Sequence, residues 1–254
     1  MFKRAIVLLP LALLFLTGCS GLKETANMTA EERFEVAMEY FNDESYDLAI
    51  NEFEAIMLQF PGSERYDDSQ FYLAKSRFER REYLLGASEF SKLIRNIPAS
   101  SFVPESQFML AECYYQLSPP FSLDQRYSRK AIEELQAFID FFPSDQRVPE
   151  AETRIKTLTE KLAEKEYNSA YIYEKMEYYT AALQYYAAVA EIYHDTKYAP
   201  IASAARIRLL ADRSRNKEAL KEIENFIKRY PDDAALKEML DLQAKIAPSV
   251  LSSN

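Results

Sequence analysis

The chain predicts an all-α solenoid of about five helical hairpins, in which one long helix joins an N-terminal block to a C-terminal block. Three observations carry this. Apolar residues recur at helical spacing, the pattern returns every 37 residues, and the stretch 150–199 contains neither proline nor glycine. A period in this range marks stacked supersecondary units that bury their apolar faces against one another.

The first segment is not part of the solenoid. Lys3 and Arg4 precede an apolar run, 6–16, interrupted only by Pro10. A bilayer span needs about 20 apolar residues, so a run this short reads as a cleaved signal. It closes on Leu16-Thr17-Gly18-Cys19, which resembles the lipobox of bacterial lipoproteins. That resemblance implies removal of 1–18 and acylation of Cys19, with palmitate-type chains as the covalent lipid and no other cofactor. More than one acyl chain gives stable anchoring, where a single chain gives only marginal binding. Ser20 follows the cysteine, and in lipoproteins that position implies the outer membrane, on its periplasmic face.

Composition excludes several function classes. The formal charge of −9 becomes −11 once the two cations Lys3 and Arg4 are gone, which argues against nucleic acid and against a polybasic grip on anionic lipid. His194 is the one histidine, so no histidine-based metal site or triad is expected. The four glycines, Gly18, Gly21, Gly62 and Gly86, form no phosphate-cradling loop. The carboxylates are spread along helical faces, as on a solvated surface. No catalytic residue and no metal site are expected, and the chain reads as a non-enzyme. With Cys19 lipidated, Cys113 lacks a disulfide partner and reads as a small core residue.

The repeats follow in order. In the first, Phe34, Ala37, Met38 and Phe41 fall at i, i+3, i+4 and i+7, one helix face. A polar turn, 42–45, leads to a second face of Ala49, Ile50, Phe53 and Ile56, and Pro61 stops that helix. A step of 37 carries Phe34 to Phe71 and Phe108, Ala37 to Ala74 and Ala111, and Phe41 to Phe78 and Tyr115. The third unit holds an insert between its helices, so Ala111 and Ala131 lie 20 apart where Ala37 and Ala49 lie 12 apart. The fourth has Ala170, Tyr173, Ala182 and Tyr186, with His194 where the other units have proline. The fifth has Ala219, Ile223 and Pro231, and Ile207 where a small residue is expected. Pro149 suits a first helical turn, and the helix it opens is expected to run to about Lys175, with Lys161 as an exposed interior position. A capping helix follows Pro231, and 248–254 reads as a frayed tail. The expected organisation is signal 1–18, lipidated tether 19–29, repeats one to three over 30–148, and the long helix, repeats four and five and cap over 149–247.

Ala37, Tyr40, Ala49, Phe53 and Pro61 resemble the tetratricopeptide repeat, with Arg33 in place of its signature tryptophan. The insert 116–125 (QLSPPFSLDQ), the stretch 163–183 (AEKEYNSAYIYEKMEYYTAAL) and 192–199 (IYHDTKYA) go beyond a generic repeat. With the lipobox they resemble the BamD/ComL family of outer-membrane assembly lipoproteins. His194 departs from that family, which has proline there. The resemblance implies a scaffold subunit of the outer membrane β-barrel assembly machinery, with the periplasmic domains of the barrel insertase and unfolded outer membrane proteins as partners. It places the insertase contact on the C-terminal block, about 167–246. The alternative is another periplasmic tetratricopeptide lipoprotein that organises cell-wall or division enzymes.

Two aromatic ladders, 34/71/108 and 41/78/115, suggest a peptide-binding groove on the first helices of the N-terminal repeats. Its candidate residues are Phe34, Met38, Phe41, Phe71, Phe78, Phe108 and Tyr115. Partly exposed aromatics beside single charges suit the aromatic end of a β-strand. The same spacing equally describes an inter-repeat core. His194 is open between a turn residue and a pH switch.

Overall fold

A computed structural model describes residues 27–251 of the chain. The signal segment, Cys19 and the tether as far as residue 26 lie outside the described residues. Eleven helices and no strand occupy the described residues. They pair as α1 (Ala30–Asn42) with α2 (Tyr46–Gln59), α3 (Tyr66–Glu79) with α4 (Tyr83–Asn96), and α5 (Val103–Gln116) with α6 (Arg126–Phe141). The long α7 (Val148–Lys175) pairs with α8 (Tyr179–Ile192), α9 (Tyr198–Asp212) with α10 (Asn216–Arg229), and α11 (Leu236–Leu251) caps the stack. Each helix packs chiefly on its neighbours in sequence, which makes the fold a solenoid of hairpins.

Local chemistry sets each element's limits. Thr29 caps α1 through a reciprocal capping box with Glu32. Four of the five hairpin turns share one device. Glu44, Arg81, Glu177 and Ser214 all adopt φ between 58° and 63°. The next amide then bonds five residues back, Ser45 to Tyr40, Glu82 to Arg77, Tyr178 to Tyr173 and Arg215 to Leu210. This is the Schellman closure, made here with side-chain-bearing residues in the left-handed region that favours glycine.

The second helices stop alike. Phe60, Ile97, Phe142 and Tyr230, each before a proline, sit at φ between −131° and −128°. Proline's Cδ drives the preceding residue out of the helical region. Tyr193, before His194, lies at φ −110°, yet the chain turns the same way and Thr196 donates to its carbonyl at 3.0 Å.

The small positions allow close helix approach. Ala37, Ala49, Ala74, Ala111, Ala131, Ala170, Ala182 and Ala219 are all fully buried. At Gly86 even a methyl group is tight, because an added Cβ would lie 3.3 Å from the Cys113 sulfur and 3.4 Å from the Ala74 carbonyl oxygen. Arg33, at the tryptophan position, is buried and pairs with Glu52 at 2.6 Å while donating to Gln59 at 2.8 Å.

The 28 residues of α7 make it about 42 Å long at 1.5 Å per residue. Its first half adds Ala151 and Leu158 to the core of the third hairpin, and Ala170 near its far end joins the C-terminal core. Between them Leu162 and Ala163 stay buried, and two lysines add polar ties. Lys161 donates to Ser118 at 2.8 Å and Lys165 to the Leu123 carbonyl at 2.8 Å, tying the insert to α7. Buried Gln125 holds that insert from within, donating to the carbonyls of Pro120 and Leu123. Lys161 is therefore not the exposed position the sequence predicts. The insert half-buries it and pushes its ammonium below the usual lysine range. At the other end of the chain α11 continues through Pro248 to Leu251, past the expected break. A proline this near a terminus disrupts the ladder only in its last turn.

Candidate functional site

The first helices of successive hairpins, α1, α3, α5 and α7, present the face on which the sequence places its groove. The structure separates the seven candidates. Phe71 and Phe108, at 1% and 7% exposure, are core residues with almost no surface to offer a ligand. Phe34, Met38, Phe41, Phe78 and Tyr115 are half-buried and pack on the edges of three apolar clusters.

Nor do the ladders stack along the solenoid. Phe34 meets Phe53 and Tyr72, Phe71 meets Phe102, Phe90 and Tyr72, and Phe108 meets Phe138. Phe34 and Phe41 reach Tyr72 on the next hairpin, whereas Phe71 and Phe108 turn into their own hairpin or toward the connector that follows. What lies over them is cationic. The Arg65 guanidinium sits 5.0 Å from the Phe34 ring centre, the Lys75 ammonium 5.6 Å from Phe71, and the Arg154 guanidinium 4.7 Å from Tyr115. Such contacts contribute about 0.5–1 kcal/mol each at exposed sites.

Those cations also stitch neighbouring first helices together. Arg65 forks onto Glu31 at 2.6 and 2.7 Å, Lys75 reaches Glu105 at 3.6 Å, and Arg154 pairs with Glu112. Arg208 continues the row in the C-terminal block by forking onto Glu238 at 2.5 and 2.7 Å. Hydrogen bonding by Glu31 raises the Arg65 pKa, and Arg65 in turn lowers that of Glu31. At Arg154 burial opposes the charge, but pairing with Glu150 and Glu112 outweighs it and the pKa rises. The face therefore carries fixed charges between half-buried rings, an arrangement that can hold an extended chain by its backbone and by its aromatic side chains.

The C-terminal block offers a different surface, which the periodicity does not single out. Tyr171, Ile172, Met176 and Tyr178 are 45–58% exposed at the end of α7 and its turn. Ile172 and Met176 fall at i and i+4, one helix face, with Tyr171 beside them. Beside α8 a hollow of about 340 Å³ is lined by Glu166, Gln184, Tyr185, Ala188, Ile192 and Tyr193. The signal for this surface was present in the run 171–179, YIYEKMEYY, which holds more large apolar residues than one buried stripe can use.

The remaining candidates are simpler. His194 is exposed, with Nδ1 2.7 Å from an Asp195 carboxylate oxygen. Cys113 is fully buried, and burial, followed by the nearby Glu112 charge, pushes its thiol up to about 12. Among the described residues no group of three or more His, Cys, Asp or Glu side chains could hold a metal, and no helix is long and apolar enough to cross a membrane.

A family model described as "YfiO: Outer membrane lipoprotein" matches residues 26–211. No curated protein matches the chain. Similar solved structures include a thermophilic tetratricopeptide protein of Thermus thermophilus, at 17% identity over 88% of this chain and 100% of that one, TM-score 0.37. The TPR2AB domain of yeast Sti1, in a pHSP90 complex, is 15% identical over 87% of this chain and 84% of its own, TM-score 0.43. The tetratricopeptide domain of P58(IPK) is 16% identical over 89% of this chain and 60% of its own, TM-score 0.44.

Proposed function

Because the chain belongs to the YfiO outer membrane lipoprotein family, we propose that it is a lipid-anchored periplasmic scaffold subunit of the outer membrane β-barrel assembly machinery. The family match over 26–211, on a solenoid of hairpins, is the observation that carries this reading. Cys19 is the anchor, acylated after removal of 1–18. The fold is a protein-interaction module, and the role proposed is binding rather than catalysis.

The C-terminal block grips the periplasmic domains of the barrel insertase. Its exposed Tyr171, Ile172, Met176 and Tyr178 support this, since clustered apolar surface beside charged residues marks interfaces. The N-terminal first-helix face receives unfolded outer membrane proteins. There Phe34, Met38, Phe41, Phe78 and Tyr115 offer ring edges, while Phe71 and Phe108 support them from beneath.

Purification of the full-length chain in mild detergent tests the reading. It predicts a stable complex with a β-barrel insertase, weakened by Tyr171→Ser with Met176→Ser while helicity is unchanged. Recovery of cell-wall or division enzymes in place of an insertase would replace it with the alternative scaffold. Palmitate labelling that persists in Cys19→Ala would remove the anchor assignment.

A further inference from the structure

The C-terminal block contains a cleft distinct from the exposed surface at 171–178 that supports the role above. Helices α8, α9 and α10 border an open hollow of about 620 Å³ whose lining includes the small residues Ala190 and Ser203. Its walls carry Arg206, Lys221, Lys228 and Arg229. In a chain of formal charge −9, four cations in one hollow invert the local sign. Two carboxylates line it as well. Glu222 pairs with Arg206 at 3.1 Å, and Glu191 lies on the α8 wall. Two positive charges remain uncompensated within the cleft. Among the described residues the buried Arg206 Nε has no hydrogen-bond partner, and no ion pair holds the exposed Lys221 or Lys228.

The spacing on α10 narrows what fits. Lys221, Asn225 and Lys228 fall at i, i+4 and i+7, one stripe of the helix. Two turns separate the lysines by about 10.5 Å along the axis. A peptide in the extended polyproline II conformation advances about 3.1 Å per residue with three residues per turn, so carboxylates three residues apart lie on one side about 9.3 Å apart, close to that distance. Asn225 between them carries both an amide donor and an acceptor for a peptide backbone. A bilayer surface cannot enter a concave cleft, and the acidic chain around it repels anionic lipid.

We propose that this cleft binds an extended acidic segment of a partner protein, with carboxylates at i and i+3 engaging Lys221 and Lys228. The proposal rests on the charges of the cleft rather than on the scaffold role; its α8 and α9 lining falls within the family match, and only its α10 wall lies beyond residue 211.

The probe is a fluorescent Gly/Ser peptide carrying two glutamates three residues apart, titrated by anisotropy against the full-length chain in detergent. Binding is expected to weaken with added salt, and at least about tenfold when the glutamates are adjacent or replaced by glutamine. Lys221→Glu with Lys228→Glu should abolish it with helicity intact. If that pair disturbs folding, Lys221→Gln with Lys228→Gln should still weaken binding several-fold. Equal binding of the adjacent-glutamate peptide overturns the proposal. So does competition by inorganic phosphate at equal charge, which marks a small-anion site. A third overturning result is binding to phosphatidylglycerol vesicles that depends on these lysines while the peptide does not bind, which marks a membrane site.

Discussion

The N-terminal hairpins and the C-terminal hairpins bury their apolar residues differently. Among the described residues the first three hairpins hold three apolar clusters of six, seven and seven buried side chains, bridged only by the half-buried Tyr72, Met109 and Tyr114, whereas α7 to α11 share one of fifteen. The cause lies in α9, where buried Ala199, Ala202 and Ala204 let its neighbours close around it. In the N-terminal block each hairpin closes on its own aromatic, Phe53, Phe90 or Phe138. Clusters bridged by a few half-buried side chains and nearest-neighbour contacts behave as a chain of more weakly coupled units, and a merged core behaves as one.

The largest expected difference comes from truncating a core aromatic in each block. Phe226→Ala and Phe90→Ala each remove a fully buried ring, at about 3–5 kcal/mol. Phe226→Ala should unfold 179–246 together, and Phe90→Ala should loosen only the second hairpin and its neighbours. Urea denaturation followed by limited proteolysis reads the two patterns, and equal spread of cleavage in both variants would count against weaker coupling in the N-terminal block.

Next comes the charged seam between the third hairpin and α7. Arg154→Met leaves the buried Glu112 carboxylate without its cation. Removing one partner of a buried pair costs about 3–5 kcal/mol. The lower end applies, because Arg154 keeps some solvent contact and Gln116 still donates to Glu112. Adding Glu112→Leu to Arg154→Met should recover most of the loss in a thermal melt.

Alkali should separate the blocks without mutation. Burial raises the phenol pKa of Tyr167, Tyr186, Tyr193, Tyr198 and Tyr230 in the C-terminal block, against Tyr46 and Tyr72 in the N-terminal block. A folded-state pKa above the unfolded value near about 10 means the folded chain holds protons that the unfolded chain releases. That stability is full below pH about 10 and is lost as pH rises beyond it. The C-terminal block should therefore unfold first in alkali, seen as tyrosinate absorbance rising together with loss of helicity. The N-terminal block unfolding first would contradict the burial contrast.

The smallest effect is a gain. Glu177 holds a left-handed backbone at φ 63° in the turn between α7 and α8. Glycine there relieves about 1–2 kcal/mol of strain and loses about 0.5–1 kcal/mol in chain entropy. Glu177→Gly should stabilise the C-terminal block by about 0.5–1 kcal/mol in urea titrations and leave the first hairpin unchanged.

Much of this architecture was legible because close helix contacts admit few residue types. Ala37, Ala74 and Ala111 recur at 37 because a larger side chain would hold the helices apart, and that register located the hairpins and their turns. The absence of proline and glycine over 150–199 marked the course of α7. The depth of each aromatic was not legible. Phe34 and Phe71 share one register, yet Phe102 from the next connector stacks on Phe71 at 4.5 Å and covers it. That contact depends on a loop's path, which periodicity does not encode. Lys161 looked exposed for the same reason, since the insert that covers it folds back from 43 residues away. The left-handed turns fall on Glu, Arg and Ser, where no glycine announced them.

Hydrogen exchange of the full-length chain in detergent, followed residue by residue, tests the contrast between the blocks most directly. Bridged N-terminal clusters and one C-terminal core predict a gradient of opening free energies across 30–141 and a single shared value across 179–246. One common value along the whole solenoid, or a gradient inside 179–246, would contradict it.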